Sequence, residues 1–218
     1  MEPGFEAAVH AFWEKNRNLI LLVCAAALLA IVAREGWQYF SALREKGVQE
    51  EYARIADQNG KLAAFAEANP GHALAGVAYL RLADETYAAG DYKQAAGIYQ
   101  KAAGLVKNEA LLGRAKLGLA MSQLNGGDKA TGEAALKTLG ADQSLPKGVR
   151  AEATYHLASL AYEAGNSSEV RRLIEEVGKI DPSGGWSQRA AMLLASLETG
   201  GKPADSAAPT LSFKPGGK

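Results

Sequence analysis

The most conspicuous feature of the polar and apolar pattern is an unbroken apolar run of 15 residues, Leu19 to Ala33. At the helical rise it covers only ~22 Å, short of the ~30 Å hydrocarbon core of a bilayer. The flanks extend it. Trp13 precedes the run and Trp37 and Tyr39 follow it, the two tryptophans being 24 residues apart. That is ~35 Å along a helix, the spacing of the two aromatic belts of a membrane. Lys15, Arg17 and Arg34 stand where long side chains reach headgroups. The pattern predicts a spanning helix over residues 14–37. A cleaved signal peptide ending near Ala33 and a lipoprotein site at Cys24 are the competing readings. Ile31 to Ala33 lacks the small-x-small cleavage pattern, and Val23 is too large for a lipoprotein signal whose apolar stretch is also too short. Lys15 and Arg17 before the span are matched by Arg34, Arg44 and Lys46 after it, so charge leaves the orientation open. Ahead of the span, Phe5, Ala8, Val9, Phe12 and Trp13 share a helical face, either an interfacial helix or a lead-in to the span.

Past the membrane segment the periodicity stays helical. Gln38 to Asp57 reads as one helix, with Asn59-Gly60 as its first break and Asn69-Pro70-Gly71 as a stop after a short helix. The chain then repeats itself. Leu82-Ala83 followed by Tyr87 and Gly90-Asp91 recurs as Leu119-Ala120, Leu124 and Gly127-Asp128. It recurs again as Leu157-Ala158, Tyr162 and Gly165-Asn166, the glycines lying 37 and then 38 residues apart. A period of that length marks an array of helical hairpins, each too small to bury its own apolar face. Small residues beside Leu let a second helix approach, Gly ends a helix in a left-handed conformation, and Asp or Asn caps the next. Ser187 to Leu197, with Ala190, Leu193, Leu194 and Leu197 on one face, predicts a final capping helix. Residues 200–218, rich in Gly, Pro, Ala, Ser and Lys, should be disordered.

Composition narrows the function classes. Twenty-four basic residues balance 24 acidic ones, which removes the basic footprint of a nucleic-acid binder. Cys24 is the single cysteine, so neither an intramolecular disulfide nor a cysteine-based metal site is available. His10, His72 and His156 fall in no metal-ligand spacing; His72 reads as solvated after its turn, and His156 as an ordinary helix-face residue. No phosphate loop or nucleophile elbow appears. Glu50-Glu51, Asp84-Glu85 and Glu175-Glu176 are adjacent and diverge on a helix, so they read as solvated faces. The reading is a non-enzyme with no catalytic residue, metal, cofactor, nucleic acid or small-molecule substrate.

The unit Tyr79, Leu82, Ala83, Tyr87, Gly90, Asp91, Tyr92, Ala95, Tyr99, Ala102 resembles a tetratricopeptide repeat. The third unit keeps Leu157, Ala158, Gly165, Ile174, Val177 and Asp181-Pro182. The middle one departs, with Gly132 in place of the small Ala, Leu136 in place of the aromatic and no closing proline. Together with the span read from the apolar run and its flanks, the resemblance implies an all-α chain, a single transmembrane helix followed by a short tetratricopeptide-type α-solenoid. Its parts would be an N-terminal tail (1–13), the span (14–37), a linking helix with a degenerate first repeat (38–70), repeats with a capping helix (71–199) and a disordered tail (200–218). Positions carried over from the family put Leu80, Asp84, Tyr87, Leu117, Met121, Leu124, Tyr155, Ser159 and Tyr162 on the concave, partner-binding side. That set lacks the Lys and Asn cluster that clamps a terminal carboxylate in some members. It suits varied hydrophobic segments or a partner helix, unless the side chains pack on the array's own helices.

Over residues 5–197 the architecture is also similar to the YfgM-like family of bacterial inner-membrane proteins. The likeness rests on Phe12-Trp13-Glu14-Lys15-Asn16-Arg17-Asn18-Leu19-Ile20 before the span, Gly36-Trp37-Gln38-Tyr39 after it, Asn69-Pro70, and the divergent Leu-Ala repeats. It implies a single-pass inner-membrane protein with its N-terminus in the cytoplasm and its repeats in the periplasm. Its partners would be the SecYEG translocon, a membrane-anchored periplasmic prolyl isomerase and emerging secreted chains, in a chaperone or adaptor role. The alternative is a structural scaffold for another envelope assembly, in the cell-wall or outer-membrane machinery.

Overall fold

A computed structural model describes residues 4–199, and among these every regular element is an α-helix. The chain divides into two compact units, one ending at Glu51 and the other beginning at Tyr52.

The first unit is helical from Phe5 onward. It contains most of helix α1 (Phe5–Ile55), 51 residues long. Among the described residues this is the one helix long and apolar enough to cross a membrane. None of its most apolar stretch is buried: Leu22 is 65% and Leu29 70% exposed, so no protein core accounts for its composition.

In the second unit, the end of α1 is followed by α2 (Asn59–Ala68), α3 (Ala73–Ala88), α4 (Tyr92–Leu105), α5 (Glu109–Asn125), α6 (Lys129–Ala141), α7 (Lys147–Glu163), α8 (Ser167–Ile180) and α9 (Gly185–Thr199). From α2 each helix packs on the next. In addition α3 touches α5, α5 touches α7 and α7 touches α9, the connectivity of stacked hairpins. Asn59-Gly60 opens α2 instead of breaking a helix; α1 ends earlier, at Ile55. Tyr52 and Ile55 pack there, the Tyr52 ring 5.4 Å from Phe65, with Leu62 and Phe65 buried.

The punctuation read from the repeats takes physical form. Gly90, Gly127 and Gly165 adopt φ of +84°, +98° and +73°, a region that costs any residue with a Cβ. Asp91, Asp128 and Asn166 then cap α4, α6 and α8, each side chain accepting from the backbone N–H three residues on. His72, read above as solvated, is half-buried and caps α3, its Nδ1 accepting from the N–H of Leu74 at 3.1 Å. Pro146 stands at the N-cap of α7. Ala190 and Leu193 of α9 are buried, and Leu197 packs on the main core.

The unusual middle repeat is closely packed. Ala95, Gly132 and Val170 occupy equivalent places on α4, α6 and α8, and all three are buried. At Gly132 the backbone of α6 lies so close to α5 that an added Cβ would fall 2.8 Å from both the carbonyl oxygen of Ala120 and the amide nitrogen of Leu124. The missing methyl is what permits this approach.

Candidate partner-binding face

The face expected to receive a partner is built by α3, α5 and α7, whose register is set by the Leu-Ala pairs that turn inward. Ala83, Ala120 and Ala158 are wholly buried. Of the nine residues placed on that face from the sequence, Leu80, Tyr87, Leu117, Met121 and Leu124 are buried within one continuous core. Their side chains join the array's own helices. Asp84, Tyr155, Ser159 and Tyr162 remain partly exposed. Tyr155 meets Trp186 of α9 at a tilt of 42° with ring centres 5.2 Å apart, and Ser159 donates to the carbonyl of Tyr155 at 3.2 Å. Tyr162 packs against the core.

Asp84 is the centre of a polar group that the sequence reading did not assemble. Arg114 of α5 donates to its Oδ2 at 2.7 Å, and the hydroxyl of Tyr99, from α4, donates to its Oδ1 at 2.7 Å. The acid is 12% exposed and the arginine 22%, so the pair is largely withdrawn from water. Burial is the largest influence on Asp84 and pushes its carboxyl above the ordinary range, against the opposing pull of Arg114 and the Tyr99 hydroxyl. Burial, followed by the charge of Asp84, drives the Tyr99 phenol far above its usual value. Tyr99 can lie fully buried because Gly118 of α5 faces it; a Cβ at Gly118 would overlap the ring.

Two further tyrosine and histidine contacts complete the face. Asn125 donates to the hydroxyl of Tyr87 at 2.6 Å, and the Tyr87 ring meets Tyr92 edge-on at 5.0 Å. His156, read as an ordinary helix-face residue, is 4% exposed and lies 5.6 Å from the Trp186 ring, with Glu152 at 3.9 Å from its Nε2. The face therefore offers a charge pair that is largely but not wholly buried, two half-buried tyrosines and a serine. Arg114 is already committed to Asp84 and so is not a spare cation for a peptide carboxylate. Among the described residues no three His, Cys, Asp or Glu side chains converge as metal ligands.

Arg114, Tyr99, Asn125 and Trp186 were missed because their roles depend on which helices become neighbours. The one usable signal was the repeat register, which puts Asp84 two residues after Leu82 and Arg114 five before Leu119.

No curated protein and no solved structure matches the chain. A family model described as a tetratricopeptide repeat-like domain matches residues 10–151, a stretch that starts in α1 and ends in α7. Repeat domains of this kind are typically non-catalytic modules of protein–protein interaction, and the match indicates no enzymatic family. Since it takes in well over half of the chain, the protein belongs to the family of tetratricopeptide repeat-like domain proteins.

Proposed function

We propose that the chain is a single-pass inner-membrane protein, N-terminus in the cytoplasm, whose periplasmic repeats bind partner proteins at the Sec translocon. Residues 14–37 would be the span, 38–70 a linking helix with a degenerate first repeat, and 71–199 the repeats with their cap. The observation that carries this reading is that the family match begins at residue 10 and so includes the uncovered apolar helix together with the repeats. The resemblance of the residues flanking the span to the YfgM-like family supplies the finer assignment. SecYEG, a membrane-anchored periplasmic prolyl isomerase and emerging secreted chains are its proposed partners, in a chaperone or adaptor role.

The binding surface proposed here is narrower than the nine residues read from the sequence. Asp84 with Arg114, Tyr155, Ser159 and Tyr162 keep exposure on α3, α5 and α7, whereas the buried five serve packing. Two experiments test the function. A reporter fused after residue 218 should be active only outside the cytoplasm; a cytoplasmic result ends the translocon reading. Crosslinking in membranes before gentle detergent extraction should recover translocon subunits. A pulldown dominated by cell-wall or outer-membrane components would select the scaffold role instead.

A further inference from the structure

Helix α1 carries a second pattern besides its apolarity. Leu19, Leu22, Ala26, Leu29, Ala33, Gly36, Phe40, Leu43 and Gly47 follow one another at alternating spacings of three and four for four heptads. Of the seven heptad registers, this alone meets no Lys, Arg, Asp or Glu between residues 34 and 47, although Arg34, Glu35, Arg44, Glu45 and Lys46 all lie in that stretch. The seam thus runs out of the apolar run, where lipid would cover it, into a segment whose other positions are mostly polar. There it is bare: Phe40 is 74% and Leu43 50% exposed.

The glycines give an independent sign of a close neighbour. Gly36 and Gly47 sit inside a continuous helix, where glycine is the weakest helix former after proline. Neither is required by a contact within the chain, since nothing lies within 4 Å of a Cβ built on either. Both fall on the seam, where small residues let two backbones approach. The flanking charges choose the occupant. With Leu22, Leu29, Gly36 and Leu43 at the d positions, Lys46 takes a g position and Glu51 the following e position. In a parallel pair of identical helices these two meet across the interface, twice by symmetry, with opposite charges. Tyr39 and Arg44 meet in the same way one heptad earlier. Lys46 lies 3.7 Å from Glu50, both side chains being largely exposed, so the bond is easily exchanged.

We infer that α1 is a dimerisation helix, pairing with α1 of a second copy in parallel along the seam Leu19–Gly47. The parallel sense rests on the anchor reading, because two copies inserted alike in one membrane must run in the same direction. Cys24 falls at an f position, on the outside of such a pair, and is exposed. Native protein should therefore form no disulfide dimer on oxidation.

The test uses full-length protein in membranes, in a Cys24→Ser background. Single cysteines are introduced on the seam (Leu22→Cys, Leu43→Cys) and on the outside (Gln38→Cys, Glu45→Cys), then oxidised. Dimers at the seam positions and not at the outer ones are expected. Lys46→Glu turns two attractive pairs into two repulsive ones and should lower association roughly tenfold. Adding Glu51→Lys should restore it, while Glu50 stays as a like-charged neighbour in both variants. Equal crosslinking at all four positions, seam crosslinks only to a different protein, or no recovery in the double variant would overturn the inference. Carbonate extraction of the same membranes tests the anchor separately, so loss of the anchor and loss of the dimer are distinguishable.

Discussion

Gly132→Ala makes the packing of the middle repeat measurable. In an unconstrained helix the change stabilises by about 1 kcal/mol, because Ala is the better helix former. At Gly132 the new methyl would stand 2.8 Å from the Ala120 carbonyl oxygen, 2.8 Å from the Leu124 amide nitrogen and 2.6 Å from Leu124 Cγ. Two of these atoms are backbone of α5, and Leu124 is itself buried, so relief requires the helices to separate by roughly 0.5–1 Å. Overpacking of this kind costs about 1–3 kcal/mol, which offsets the propensity gain and leaves a net loss of up to about 2 kcal/mol. For a domain of this size that is a fall of up to about 8 °C in melting temperature. Gly97→Ala is the matched control. Gly97 is exposed within α4 with nothing within 4 Å of its Cβ position, so it should gain up to about 1 kcal/mol. Thermal melts of the full chain in detergent, followed by far-ultraviolet circular dichroism, read both. The reasoning is refuted if Gly132→Ala stabilises as Gly97→Ala does, for then α5 and α6 do not approach at Gly132.

Arg114→Gln should destabilise by about 2–3 kcal/mol, at the lower end for breaking a buried pair because both partners keep some water; denaturant unfolding should show it, and in an Asp84→Asn background the loss should shrink. The carboxyl of Asp84 is raised by burial, so its stabilising contribution is full below the ordinary Asp range and is lost as pH rises through the raised value. Wild type should accordingly lose stability relative to Asp84→Asn between strongly acidic and neutral pH, and a gain in paired melting curves would contradict that sign. Asp91→Ala removes the acceptor for the N–H of Gln94 and should cost about 1 kcal/mol; Gly90→Ala, at φ +84°, should cost about 1–2 kcal/mol by the same unfolding assay.

The fold was legible wherever one residue type answers one local demand. Gly90, Gly127 and Gly165 needed positive φ, and Asp91, Asp128 and Asn166 needed only a short side-chain acceptor, so their spacing carried the hairpin period. Asn59-Gly60 misled because the pair also tolerates the start of a helix. Gln58, with no side-chain cap bond, precedes α2 there. Gly132 looked like a defect in the repeat pattern because the pattern records residue types; its use lies in the distance between α5 and α6.

The face on α3, α5 and α7 was less legible, for a reason visible in its tyrosines. Family positions say which side of a helix a residue takes, but its exposure depends on the residues of the next helix. Tyr99 fits against Gly118, and one repeat later the smaller Leu136 and the larger His156 hold the equivalent places, both buried. The chain trades volume between neighbouring helices, so burial at one position is decided about twenty residues away. Met121 and Leu124 are drawn inward in this array and leave the polar residues at its surface. A partner would then meet Asp84 already bonded to Arg114 and Tyr99, and breaking those bonds would oppose its docking. Selectivity among partners should follow from which of them replaces both bonds to Asp84. Hydrophobicity alone would not provide it, because the apolar side chains of this face are largely consumed by the fold.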